Sequence, residues 1–251
     1  MSVSWISDSG LKVLVEPAPM TLPQDIEALV EEHWAVIAKG SPHYFRGPVL
    51  SIGSIARSGL HWSIHTQFTD YAHYLYSRCQ LPVDHPYKVR VIFAAALVVT
   101  RDRYLIAGVM GPQTARPGWV QSIGGSPIFE DVVDGVFDPR RSASKELKEE
   151  TGLVVAALNL SRAPEVLGCT VDGNGSVAVA VGYRSTLTAG EVIEAVDGQW
   201  QQMPQSSEAR ELDKLVAIPL GWSGIKWLRT QPQRHVRYLE RLVLELDDWR
   251  N

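Results

Sequence analysis

The stretch KELKEETGL, Lys145 to Leu153, sets Glu146, Glu149 and Glu150 close together and closes on Thr151, Gly152 and Leu153. Upstream, Asp138 suits a helix N-cap and Pro139 a first helical position; downstream, Gly152 suits a C-terminal stop. A helix over about 139–151 is therefore predicted. Ala143, Leu147 and Thr151 fall four apart and form its inward stripe. The three glutamates, spaced i, i+3 and i+4, share a neighbouring face and can converge. Carboxylates that close repel one another, and two of them lie toward the helix end whose dipole disfavours them. Lys145 and Lys148 offset only part of this. A divalent cation would relieve the conflict, and Mg²⁺ or Mn²⁺ prefers oxygen ligands of this kind. A solvated charged face is the plainer reading of the same letters, because Glu and Lys are good helix formers.

Outward from that helix, VRVIFAAALVVT from Val89 is almost continuously apolar and reads as a strand covered on both faces. RDR turns it into a second strand, YLIAGV. A polar loop leads to GWVQSIGG, then to SPIFEDVVDGVFDP, which is rich in turn formers. Beyond Gly152, VVAALNL, PEVLGCTVD and VAVAVGYRS read as strands, the last two joined by GNG. LDKLVAIP gives a final strand, and QRHVRYLERLVLELDDW an amphipathic helix. Before all of this, LKVLVEP reads as an edge strand and PQDIEALVEEHWAVIAKG as a helix ended by Gly40. A strand around VLSIGSIA and a helix around TDYAHYLYSR, capped by Thr69 or Asp70, follow. LPVDHPYK is a turn-rich junction. The expected division is an N-terminal α/β extension, 1–86, and a main domain, 87–251, that ends in the C-terminal helix.

KELKEETGL resembles the second half of the Nudix hydrolase signature, Gly-x5-Glu-x7-Arg-Glu-U-x-Glu-Glu-x-Gly-U, where U is aliphatic. Glu146, Leu147, Glu149, Glu150, Gly152 and Leu153 fall on its positions without a gap, and Gly124 and Gly125 stand where the family's loop opens with glycines. The similarity runs over roughly residues 88–245. It implies an α/β/α sandwich with a mixed sheet, to which the extension is added. Two departures stand out. Lys145 replaces the family's arginine, keeping the charge but not the forked donor geometry. The span from Gly125 to Lys145 is also six residues longer than the pattern, and Phe137 stands where its first glutamate belongs. Glu130, Asp131, Asp134 and Asp138 are the nearby carboxylates; Asp131 has the right separation from Gly125 but not from the helix.

The resemblance implies Mg²⁺, with Mn²⁺ as an alternative, acting on a diphosphate linkage in a nucleoside diphosphate derivative: a nucleotide sugar, a dinucleotide or a nucleoside triphosphate. Glu149 and Glu150 are then the leading metal ligands, and Glu146 a ligand or the general base. Lys145 would orient a neighbouring carboxylate, Gly125 would lend a backbone carbonyl to the metal, and Asp131 is a further ligand candidate. Many family members supply a glutamate from a late loop, which points to Glu208 or Glu211 in SSEARELDKL; ordinary exposed residues are the alternative there. Trp119 or Trp200 could stack on a base. A non-catalytic nucleotide-binding or regulatory protein of the same fold is the second functional reading.

Bulk properties narrow the partners. The chain has 251 residues, is 45% hydrophobic and has a net charge of -4, so a polymeric nucleic acid is not an expected partner but a small phosphorylated molecule is compatible. Cys79 and Cys169 form no CxxC, which argues against a disulfide framework or zinc cluster. MSVSWISDSG lacks the pattern of a signal peptide and VIFAAALVV is about half a membrane span, so no membrane association is expected and the cytoplasm is the expected location. The apolar helical stripes of the extension need covering, either by the main domain or by a second copy in a homodimer.

Overall fold

The computed structural model describes residues 3–7, 10–40, 44–202 and 211–249. The first part of the chain forms β1 (Ser4–Ser7), β2 (Leu11–Val15), α1 (Gln24–Gly40), β3 (Pro48–Ser58), β4 (His61–Asp70) and α2 (Tyr71–Gln80). Then come β5 (Ile92–Val99), β6 (Tyr104–Met110), β7 (Val120–Gln121), β8 (Ile123–Gly125), β9 (Val132–Val133), β10 (Val136–Phe137) and α3 (Pro139–Thr151). The chain closes with β11 (Glu165–Val171), β12 (Val177–Arg184), α4 (Ala189–Gln202), β13 (Leu212–Pro219), α5 (Gly221–Thr230) and α6 (Tyr238–Asp248).

The larger sheet runs β1-β11-β12-β5-β6-β13, with β7 beside β6 and β8 beside β5. It is mixed: β12 lies parallel to β5, while β11, β6 and β13 join antiparallel. β5 is buried along nearly its whole length, as a continuous apolar run requires. Its alternate residues serve two layers. Ala94, Ala96 and Val98 face Ala143 and Leu147 of α3 and Val192 of α4; Ala95, Leu97 and Val99 face Leu228 of α5 and Leu239 and Val243 of α6. The result is the expected α/β/α sandwich with a mixed sheet.

The second sheet runs β3-β4-β2-β10-β9. Strands are traded between the two parts of the chain: β1 pairs with β11 of the large sheet, and β10, from the loop before α3, pairs with β2. Val13, Leu50, Ile64 and Phe68 lie in the same buried cluster as Ala94 and Leu147, so the extension and the main body share one core. β2 is therefore central, not the edge strand its sequence suggests, because β10 covers its outer side.

Three further expectations are corrected. VVAALNL contains a short 3-10 turn over Val155–Leu158, not a strand; Asn159 ends it with a φ of 46°. α4 and α5 stand where no helix was expected. The apolar residues Ala189, Val192, Val196 and Trp200 of α4 do recur at helical spacing and are buried, but two glycines and several β-branched residues weaken the local signal.

Candidate active site

The carboxylate helix forms as its caps predict. The Asp138 side chain accepts hydrogen bonds from the backbone N–H groups of Arg140, at 3.0 Å, and Arg141, at 3.4 Å. Gly152 takes the left-handed conformation, φ 74°, and closes the other end. With Ala143, Leu147 and Thr151 buried, the helix can present its glutamates in one rotational setting.

Glu150 turns inward. Its Oε2 accepts from the Gly124 N–H at 3.3 Å, and its buried Oε1 has no hydrogen-bond partner. Burial, then the charges of Glu211 and Glu146, push its pKa well above the usual carboxylate range. From α4, the Trp200 indole N–H donates to the Glu150 carbonyl at 3.2 Å. Trp200 is thus a buried brace for the end of α3 and not a surface for stacking a base.

Glu146 lies against the glycine loop. A Cβ at Gly125 would collide with its carboxylate, and one at Gly124, φ 147°, would collide with the Ala94 carbonyl oxygen. Lys145 Nζ stands 3.1 Å from Glu146 Oε1. Burial nevertheless dominates, and Glu146 is pushed up to about 7. Burial works against the Lys145 ammonium, but Glu146 and then Asp131 hold its pKa above the ordinary value.

Of the four carboxylates in the expanded loop, Asp131 is the one that reaches the helix base. It is buried, its Oδ2 lies 3.6 Å from Lys145 Nζ, and it also accepts from the Ile128 N–H at 3.1 Å. Glu130 and Asp134 are exposed, the latter in the β9–β10 turn with φ 50°, and Asp138 is spent on the cap. Phe137, in the place of the family's glutamate, is a core residue. Docking of β10 on β2 is what brings Asp131 under Lys145, since the Asp138 N–H donates to the Asp131 carbonyl at 2.8 Å just as the hairpin closes.

Glu149 is exposed on the outer side of the same face. Glu211 joins from the start of β13, its carbonyl accepting from the Gly111 N–H at 2.7 Å. As a residue it is exposed, but protein crowding of its carboxyl, then the charge of Glu149, raises its pKa. Glu208 lies outside the described residues. Sequence reasoning missed one neighbour, Tyr71 at the start of α2: its hydroxyl is pushed up to about 12 by burial first, with Glu211 among the smaller contributors. A tyrosine directly after a helix cap gave no sign of this position.

Among the described residues, no three histidine, cysteine or carboxylate groups stand close enough to form a closed metal cage. The donor chemistry nonetheless suits a hard divalent cation: oxygen ligands, one of them buried without a partner, with charges that oppose one another. Without such a cation the cluster has a measurable cost. A carboxyl whose folded pKa is raised favours folding at low pH and loses that contribution as pH climbs through the folded value. In EDTA, stability is expected to fall between pH 4.5 and about 7, with Glu146 alone accounting for about 3 kcal/mol. Urea midpoints across that range check this, and Glu146→Gln should flatten the dependence.

No family model matches this chain, and no curated protein matches it. Solved structures similar to it include DR0079 from Deinococcus radiodurans, 14% identical, with 61% of this chain and 81% of that one covered and a TM-score of 0.41. The Nudix domain of Shewanella oneidensis NrtR, solved with ADP ribose, is 14% identical over 70% of this chain and 96% of that one, with a TM-score of 0.41. A bifunctional NMN adenylyltransferase/ADP ribose pyrophosphatase from Francisella tularensis, solved with AMP and a manganese ion, is 16% identical over 70% of this chain and 46% of that one, with a TM-score of 0.43. Among the described residues, no helix is long and apolar enough to cross a membrane.

Proposed function

We propose that this chain is a divalent-metal-dependent hydrolase of a diphosphate linkage in a nucleoside diphosphate derivative. The observation that carries the reading is Glu150: a buried carboxylate with an unpartnered oxygen, beside Glu146, Glu149 and Glu211, is what a cation site requires and what a packed core avoids. Glu149 and Glu150 would hold Mg²⁺ or Mn²⁺, with the Gly125 carbonyl as a further ligand and Glu146 as either a third ligand or the general base. Bound there, the metal would neutralise phosphate charge and acidify a water.

The chain's own residues divide the remaining work. Burial pushes Glu146 up to about 7, so where it does not ligate the metal it can accept a proton, as a general base must. Glu211 is the described carboxylate that can fill the late-loop role; Glu208 is retained as the other candidate. Lys145 is a positioning residue, held between Asp131 and Glu146. Asp131 then takes the part of the missing signature glutamate by anchoring that lysine instead of binding the metal directly. The substrate is a small phosphorylated molecule, and the extension is proposed to wall one side of its pocket or to form a homodimer face.

Glu149 is the exposed member of the set, so its replacement should spare the fold. Glu149→Gln is expected to lower metal-dependent release of phosphate-ester products from a panel of nucleoside diphosphate derivatives by about a hundredfold, about 2.7 kcal/mol of lost transition-state stabilisation. Undiminished release would remove Glu149 from the chemistry. The second reading, nucleotide binding without turnover, is favoured by the absence of a closed metal cage among the described residues. Titrating Mn²⁺ separates the two: metal-dependent product formation supports hydrolysis, and nucleotide binding with no product supports the alternative.

A further inference from the structure

Five positions before Gly124, Trp119 carries two guanidinium groups on its indole: Arg116 at 5.4 Å from the ring centre and Arg234 at 6.0 Å. Both are fixed by backbone as well as by stacking. The Trp119 N–H donates to the Arg116 carbonyl at 3.1 Å, and the Val120 N–H donates to the Arg234 carbonyl at 2.8 Å. The two arginines thus come from separate loops, one before β7 and one between α5 and α6, and meet at one aromatic ring. Here a cavity of about 410 Å³ opens, lined by Pro117, Gly118, Trp119, Pro232, Gln233 and Arg234.

Arg46, Arg103, Arg162, Arg229 and Arg241 each hold a carboxylate. Among the described residues, none pairs with Arg116 or Arg234. Two like charges gathered at one indole, on a chain of net charge -4, leave a local positive field beside the cavity. Arginine presents forked donors that match a phosphate group, and an indole offers a flat face for a ring. Prolines in both lining loops reduce the entropy lost when a ligand is held there. The volume lies within the range of small-ligand pockets.

We propose that this cavity binds a nucleoside phosphate, with its base against Trp119 and its phosphate on Arg234, and with Arg116 adding positive charge from beside the same ring. The site is separate from the carboxylates: its lining comes from the loop before β7 and the loop between α5 and α6, and none of Glu146, Glu149 and Glu150 belongs to it. It therefore does not depend on the hydrolase reading. Val120 to Gly125 connects the two places, so a ligand that orders Trp119 acts at one end of the segment whose other end cradles Glu146.

Calorimetric titration of the full chain in EDTA tests the proposal, because binding at the carboxylates through a metal is then absent. AMP, adenosine and inorganic phosphate are the probes. AMP is expected to bind, with adenosine and phosphate each at least about tenfold weaker, since each lacks one of the two recognition elements. Arg234→Gln should weaken AMP about tenfold, Arg116→Gln should weaken it by less, and both should leave adenosine little changed. Trp119→Leu should weaken AMP and adenosine together; because Trp119 also touches the core, the Arg234→Gln result on its exposed side chain stands independently of any folding defect. Absence of AMP binding, AMP affinity unmoved by both arginine changes, or phosphate binding as tightly as AMP would overturn the assignment.

Discussion

Glu150→Gln is expected to abolish about a thousandfold of metal-dependent turnover while making the metal-free protein harder to unfold. The two effects have one cause. Glutamine keeps the length and can still accept from the Gly124 N–H, but it removes a buried charge that Glu211 and Glu146 oppose. Loss of that charge removes a metal ligand, and several kcal/mol of charge stabilisation is about a thousandfold in rate. In EDTA at pH 8, the same change relieves a desolvation and repulsion penalty, so the melting temperature should rise. Metal-titrated kinetics and thermal melts on one preparation check both halves. A lower melting point in EDTA would contradict the charge assignment even if activity fell.

Lys145→Met is expected to be the most damaging single change near the site. Asp131 has only 2% of its side chain exposed and Lys145 is its described cation. Removing one partner of a buried pair leaves the other uncompensated, at about 3 kcal/mol or more. The double variant with Asp131→Asn should recover part of that loss, because the remaining side chain is neutral and can still accept from the Ile128 N–H. Urea unfolding of the single and double variants measures the coupling. Additive losses would mean that Lys145 and Asp131 act independently. Lys145→Arg, which keeps the charge and adds a fork, should retain most of the stability.

The parts of the molecule that could be read from the sequence are those whose causes are local. α3 was legible from cap to cap because Asp138, Pro139 and Gly152 each act within a few residues of themselves. β5 was legible because an apolar run of that length has few other uses. The partner of Lys145 was not legible. Asp131 has the wrong spacing from the helix in sequence, and reaches it only because a hairpin docks on a strand more than a hundred residues upstream. The central place of β2 was hidden for the same reason. α4 failed differently: its apolar spacing was present, but Gly190 and Gly198 argued against a helix and tertiary burial prevailed. The Glu150 carbonyl's brace, Trp200, was lost with it.

The exchange of strands has a consequence for how this chain is made. Synthesis delivers β2, β3 and β4 first, yet the outer edge of β2 has no cover until β10 emerges, and β1 has no partner until β11 does. The nascent extension therefore leaves the ribosome with two open hydrogen-bonding edges and part of a core, the circumstances in which chains adhere to one another. Its completion is postponed until β10 and β11 have been translated. For recombination the same feature is restrictive: a crossover at the junction near Pro82 would separate each half from a strand it borrows, so these halves are poor candidates for shuffling as independent modules.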